Sequence, residues 1–375
     1  MYDIVLHLEV ELLMLNVADF HVIVAVTVAC IDFFLNKTTD STTALHHLSQ
    51  SLRLLNQKLS GSEAVSDATI AVAVSLVIYE RLQGRGWKAV VHFEGLRRMV
   101  QLRGGISQLA TDFNLVHKIL KSDVELALDR GTLTGFSVRD VSAYLDLSSL
   151  RKLVPKKDLY QSFASPLTLS VCQELKGIAS DIACLSTLLN SQMTSTSKLD
   201  PFAFHSTLLD LGYRLSDASI VCRSRSASWL DRIVHLALST YVVSFWSEFG
   251  QRKVKFPAVC ELFTAAIEES HAARGDVETQ SVLLWALFIA RASTFSRSDE
   301  CRLAPKGAEV AVTLGLRTWS DVQRALSKLP WVSCIHGPHG EALWDAVLRL
   351  GPLYNQDGKP YRQYEMVQSC KYTIT

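Results

Sequence analysis

Residues 44–59 read ALHHLSQSLRLLNQKL. Leu45, Leu48, Leu52, Leu55 and Leu59 recur at spacings of three and four, which sets them along one face of a helix. Arg53, Asn56, Gln57 and Lys58 fall mostly off that stripe, and Gly61 supplies a stop. No glycine precedes Gly61 and no proline precedes Pro155. Both residues punctuate helices, so the first 154 residues are free to form long ones.

Helical patterning extends in both directions from this stretch. Residues 4–35 read as a buried helix. Residues 67–82 are apolar nearly all round (Ile70, Val72, Val74, Leu76, Val77, Ile78). Their valine and isoleucine content also suits a strand, but their length favours a helix at the centre of a bundle. Residues 88–103 set Ala89, Phe93, Leu96, Met99 and Val100 on one side and end at Gly104-Gly105. Residues 112–129 turn Val116, Ile119, Leu120 and Ala127 inward and close at Gly131. From 131 to 200 the pattern weakens, with one helix at 167–190 and an exposed loop at Ser191–Ser197.

Strong patterning returns at 227–249, where Trp229, Ile233, Leu236, Ala237 and Thr240 share a face. Pro257 suits the first turn of a helix running to about Arg274. Asp276 is a candidate N-cap for a deeply buried helix at 277–293. Ser320 and Gln323 have capping-box spacing, Pro330 stops the helix they begin, and a last helix covers 341–350. These readings predict an all-α, multi-helix bundle of about a dozen helices. Its length exceeds the roughly 250–300 residues at which one core stops growing, so either one large helical body or two packed lobes would fit. The division expected is 1–150 as an N-terminal lobe, 151–200 as a connecting region with one helix and a Ser/Thr-rich loop, and 201–375 as a C-terminal lobe.

Composition narrows the function classes. Hydrophobic residues make up 48% of the 375, enough for a sizeable core. Lysine and arginine (38) nearly cancel aspartate and glutamate (37), leaving a net charge of +1. A module that grips nucleic acid by its phosphates carries a clear basic excess, so direct nucleic-acid binding is not expected. Near the N-terminus the longest stretch without an ionisable side chain, Val22 to Ile31, spans ten residues, where a membrane crossing needs about 20. The first basic residue is Lys37, so no signal-peptide n-region is present and no membrane association is expected.

Eight cysteines (Cys30, Cys172, Cys184, Cys222, Cys260, Cys301, Cys334, Cys370) are scattered and form no C-x-x-C pair. A binuclear zinc cluster needs six closely spaced cysteines, and this sequence has no such set. The nearest metal-like grouping is Cys334, His336 and His339, within six residues. Gly337, Pro338 and Gly340 make a tight exposed turn the simpler reading of that segment. His46-His47 and the lone Gly84-Arg85-Gly86 read as helix and turn residues, not ligand sites. There is no G-x-S-x-G elbow and no G-x-x-x-x-G-K-[ST] loop. No catalytic, cofactor-binding or metal-binding residues are therefore assigned. Arg97, Arg98 and Arg103 either form a solvated face or meet Asp123 or Glu125 of the next helix. Arg151, Lys152, Lys156 and Lys157 form a short basic patch of the kind that can direct nuclear import.

Residues 92–105, HFEGLRRMVQLRGG, resemble the signature of a fungal-specific transcription factor regulatory domain family. Lys118-Ile119, Asp123, Ala127, Gly131 and Phe136 follow in the order that family shows. Leu284-Trp285-Ala286-Leu287-Phe288 is similar to a further family helix. Leu314-Gly315-Leu316, Trp319-Ser320-Asp321-Val322, Leu329-Pro330-Trp331-Val332 and Leu343-Trp344 resemble its ending. The likeness spans roughly 40–347, and its signature positions here are His92, Gly95, Leu96, Arg103, Gly104, Gly105, Asp123, Gly131, Trp285, Trp319 and Trp344.

The resemblance implies a helical, non-catalytic regulatory module that acts in the nucleus through protein partners. It implies structural roles for the signature residues, with the two glycines permitting a left-handed cap and Arg103 meeting a carboxylate. Family members commonly carry a zinc cluster ahead of this domain, whereas this sequence enters apolar helix at Met1. The expectation is either a truncated factor or a free-standing relative that forms homodimers or heterodimers with zinc-cluster factors. No small-molecule effector is named by the residues.

Overall fold

The computed structural model describes residues 17–35, 41–109, 113–145, 171–192, 200–224, 227–249, 252–270 and 276–353. Fourteen α-helices occur among them. The only extended pairing described is a two-residue antiparallel ladder, Glu248–Phe249 against Arg252–Lys253. The molecule is all-α, as the helical stripes predict. It divides into two compact units, neither contiguous in sequence: residues 1–146, 204–216 and 245–256 form the first, and 147–203, 217–244 and 257–375 the second.

The first unit is built on α1 (Val17–Phe34), α2 (Thr42–Leu59), α3 (Asp67–Leu82), α4 (Gly86–Arg103) and α5 (Phe113–Arg130), followed by the single turn α6 (Val138–Val141). Helix α3 packs against α1, α2, α4 and α5. That central position explains its composition. Ile70, Val72, Val74, Leu76 and Val77 are all buried, and each stabilises the fold by about 1.5–3 kcal/mol. Ser66 caps the helix by accepting the Thr69 N–H. Only a helix presents apolar side chains to neighbours on every side, and so the valines lie in a helix and not in a strand.

Helix α2 departs from the expectation drawn from its leucines. Leu45 and Leu59 are exposed, whereas Ala44, Ser51 and Leu55 are buried. The buried line is rotated toward the small residues. The partner helix α1 likewise buries Ala25 and Ala29, and the two helices pack closely along their length. Small side chains on both surfaces let the backbones approach, and this outweighs the pull of the larger leucines. The apolar reading of residues 4–35 holds for Val22, Ala25, Val26, Ala29 and Phe33, which are buried. Residues 1–16 lie outside the described set. No described helix is long and apolar enough to cross a membrane.

All five inward positions expected for α4 are buried. Its end is a full left-handed cap. Gly104 and Gly105 have φ of 103° and 101°, and their N–H groups donate to Gln101 O and Val100 O. Helix α5 ends the same way at Gly131 (φ 59°), with Thr132 N–H donating to Ala127 O.

The chain continues with α7 (Gln173–Gln192), α8 (Pro201–Cys222) and α9 (Trp229–Ser247). Helix α8 was not expected. Asp200 caps it by accepting the Ala203 N–H at 2.8 Å, and Pro201 is its first residue, where a missing N–H costs nothing. Ser191 and Gln192, expected in a loop, close α7, and residues 193–199 are outside the described set.

The second unit centres on α11 (Val277–Ser293), flanked by α10 (Pro257–Ser270), α12 (Glu300–Thr313), α13 (Trp319–Leu326) and α14 (Ser333–Arg349). Helix α11 packs on α12, α13 and α14, and every residue from Val282 to Ala290 is buried. Asp276 accepts the Thr279 N–H at 2.8 Å, the N-cap its position predicts. The cap of α13 lies two residues earlier than expected: Thr318 and Asp321 form the capping box, not Ser320 and Gln323. A further correction concerns proline: α14 begins at Ser333 and encloses Pro338, where an exposed turn was expected. Helix α12 likewise encloses a proline, Pro305.

Candidate functional site

Among the positions read as family signature in the first unit, one is a buried carboxylate. Asp123, on α5, is 2% exposed. Its Oδ1 accepts the Gly135 N–H at 2.6 Å. Its Oδ2 accepts the Phe136 N–H at 3.0 Å and the Tyr213 hydroxyl at 2.9 Å. The carboxylate thus holds the segment after α5 in place, and Phe136 is set edge-on against Phe93 of α4 with centroids 6.2 Å apart. Burial raises the Asp123 carboxyl from 3.8 to about 6, against the opposing pull of its hydrogen bonds and of Arg97. The Tyr213 hydroxyl is raised well above its ordinary value by burial and by Asp123 itself.

Gly135 and Gly212 are required by space. A Cβ at Gly135 would stand 2.9 Å from Arg97 Cδ and 3.0 Å from Phe93 Cε1, and one at Gly212 would stand 2.3 Å from Val124 Cγ1. Sequence reasoning found Asp123 but missed Gly135, Gly212 and Tyr213. The signal for the last two was the Asp200-Pro201 helix start, which places Tyr213 on a helix that the apolar pattern alone did not reveal.

Arg103 meets a carboxylate, as expected, but not one on α5. Its Nη2 lies 2.7 Å from Asp67 Oδ1 and its Nη1 donates to Val65 O at 3.1 Å, so the end of α4 clasps the start of α3. Arg97 pairs with Glu94 of its own helix at 2.8 Å. The Arg98 side chain is exposed. His92 is half-buried, and burial lowers its pKa against the opposing charge of Glu80. Leu96 is fully buried. Gly95 lies exposed within α4, at an ordinary helical φ, and a Cβ there would meet nothing within 4 Å.

A second polar cluster in this unit lies among aromatic rings. His117 stacks between Phe113 (4.1 Å) and His205 (5.0 Å), and His205 adjoins Trp246 at 5.7 Å. Burial lowers the His117 imidazole to about 4, and burial followed by the His117 charge holds His205 well below 6.5. In the same unit His47 approaches His21 of α1, Nδ1 to Nδ1, at 2.8 Å, and His46 is exposed.

The tryptophans read as signature positions lie in the second unit, Trp319 and Trp344 beyond the residues that the family model matches. Trp285 is fully buried and donates its Nε1–H to Pro330 O at 2.7 Å. Trp319 stacks on Phe288 with centroids 6.1 Å apart, and Trp344 is buried. The grouping of Cys334, His336 and His339 is not brought together as ligands. His336 is fully buried; its Nδ1 accepts the Val332 N–H at 3.0 Å and its Nε2 lies 3.1 Å from Ser244 Oγ. Both ring nitrogens are therefore engaged by the fold, while Cys334 is exposed. Among the described residues, no three or more His, Cys, Asp or Glu side chains are grouped to hold a metal ion. The basic patch at Arg151, Lys152, Lys156 and Lys157 lies outside the described residues.

A family model described as "Fungal specific transcription factor domain" matches residues 6–303, covering the Asp123 cluster and the central helices of both units. No curated protein and no solved structure matches the chain.

Proposed function

The chain belongs to the fungal specific transcription factor domain family, and from that premise we propose that it is a non-catalytic regulatory and interaction module that works in the nucleus through protein partners. The family supports a regulatory role in transcription. The match over residues 6–303 is the observation that carries the reading. Two features of the molecule support its finer parts. The charged signature residues are committed to packing: Asp123 to three donors, Arg103 to Asp67 and Val65. A net charge of +1 offers phosphates little attraction, which favours a module that does not hold duplex DNA alone.

The reading is tested by fusing the chain to an unrelated DNA-binding module and measuring a reporter placed beside its site. A change in transcription that Asp123→Ala removes is expected; an inert fusion would overturn the regulatory role. Titration with duplex DNA at physiological salt tests the second part, and sub-micromolar, sequence-selective binding by the chain alone would refute it.

A further inference from the structure

The outer face of α4 carries large apolar side chains that no described residue covers. Trp87 is 70% exposed, Val91 63% and Leu102 60%, and Trp87 is the most exposed of the large apolar side chains described. Single exposed apolar residues are ordinary. Here three share one helix whose inner face already buries Ala89, Phe93, Leu96, Met99 and Val100. Trp87, Val91, Glu94, Arg98 and Leu102 follow one another at spacings of four, three, four and four, so they form one continuous outer stripe, with Gly95 beside its middle.

We infer that this stripe is a homodimer contact, in which the α4 helices of two copies pair antiparallel about a twofold axis near Glu94 and Gly95. Three observations select a second copy as the occupant. The first is the symmetry of the stripe. The midpoint of α4 falls between Glu94 and Gly95, and residues equidistant from it face each other in an antiparallel pair. Trp87 then lies against Leu102 of the other copy, and Val91 against the stem of Arg98. Such self-complementarity is what a twofold contact requires.

The second is charge. In the antiparallel pair the Arg98 guanidinium of one copy lies between Glu94 and Trp87 of the other, one turn to either side, where it gains an ion pair and a ring face. Arg98 makes no ion pair among the described residues; Glu94, whose Oε2 already pairs with Arg97, is 55% exposed and open to a second guanidinium. A parallel pair would instead set Arg98 against Arg98. The third is Gly95. No atom within 4 Å of its Cβ position explains a glycine inside the chain, whereas a crossing point gains from a bare backbone.

The area is sufficient but modest. An 18-residue helix is about 27 Å long, and a tryptophan buries roughly 150–250 Å². Two such stripes remove on the order of 1,000–1,200 Å² from water, the low end for a specific contact, so a dimer of micromolar affinity is expected.

Sedimentation of the full chain from about 1 to about 100 µM tests this across the affinity range proposed. A reversible dimer is expected. Trp87→Glu and Leu102→Glu should each weaken it at least ~10-fold with unchanged helical circular dichroism, because neither side chain is in the core. Glu94→Arg and Arg98→Glu should each weaken it, and the double variant should recover it. A chain that stays monomeric throughout refutes the proposal. So does a dimer indifferent to Trp87 and Leu102, or one whose paired charge exchange brings no recovery. These outcomes are independent of the reporter experiment, so the contact and the regulatory role stand or fall separately.

Discussion

At the scale of single residues, Asp123 ties α5 to the segment that follows it and to Tyr213. Three donors converge on its two oxygens. Asparagine keeps the shape but replaces one oxygen with an amide donor, so at least one of the three donors then faces another donor. Asp123→Asn is therefore expected to destabilise the protein by about 1–3 kcal/mol. Tyr213→Phe removes a single donor and leaves the backbone bonds in place, so its cost is about 1.5 kcal/mol and below that of Asp123→Asn. Urea midpoints of the two variants check the order; an Asp123→Asn midpoint equal to the parent would show that the carboxylate does not organise the segment around Gly135. The aspartate itself was legible as part of a motif. Its role was not, because the two groups that explain it are backbone N–H donors, and the third comes from a residue 90 positions away.

At the scale of elements, the helices most legible in the sequence were those whose caps and apolar stripes agree, such as α3, α4, α5 and α11. Three helices that the apolar pattern did not reveal in full, α8, α12 and α14, each contain a proline. Pro201 starts α8. Pro305 and Pro338 are each the sixth residue of their helices, and each removes a bond to the carbonyl of the second residue, Cys301 or Cys334. Both cysteines are exposed, so water can satisfy the orphaned carbonyls and the helices pass through. Glycines carry a separate lesson, since a signature position need not be a packing position. Gly95→Ala, on an open helix surface, is expected to stabilise the monomer by about 0.5–1 kcal/mol. Gly340→Ala is expected to destabilise it by about 1–3 kcal/mol, because the new Cβ would stand 2.9 Å from both Trp319 Cη2 and Trp331 Cη2. Thermal unfolding of the two variants at low concentration, where the chain is monomeric, should move in opposite directions. A Gly95→Ala loss comparable to that of Gly340→Ala would mean that Gly95 serves the fold after all.

At the scale of the whole molecule, the pH response is set by buried groups of opposite sign in the first unit. Asp123 has its folded pKa raised from 3.8 to about 6, so between those values the folded state holds more protons than the unfolded chain. Stability from this group falls as pH rises through that window. His117 has its folded pKa lowered from 6.5 to about 4, so the unfolded chain holds more protons, and stability from this group rises with pH over nearly the same range. Each shift corresponds to roughly 3 kcal/mol, and the two largely cancel. His205, lowered well below 6.5, acts in the same direction as His117, as do His92 and His21, and together they tip the sum. The intact chain should therefore lose stability as pH falls from 6.5 to 4. His117→Phe keeps an aromatic ring between Phe113 and His205 while removing one titrating group, so the Asp123 contribution is then opposed by fewer lowered imidazoles, His205 and His92 among them. Its urea midpoint should change far less over this range than that of the parent. Equal slopes in the two proteins would show that the His117 imidazole is solvated in the folded state, and with it would go the claim that burial in this unit governs the acid response.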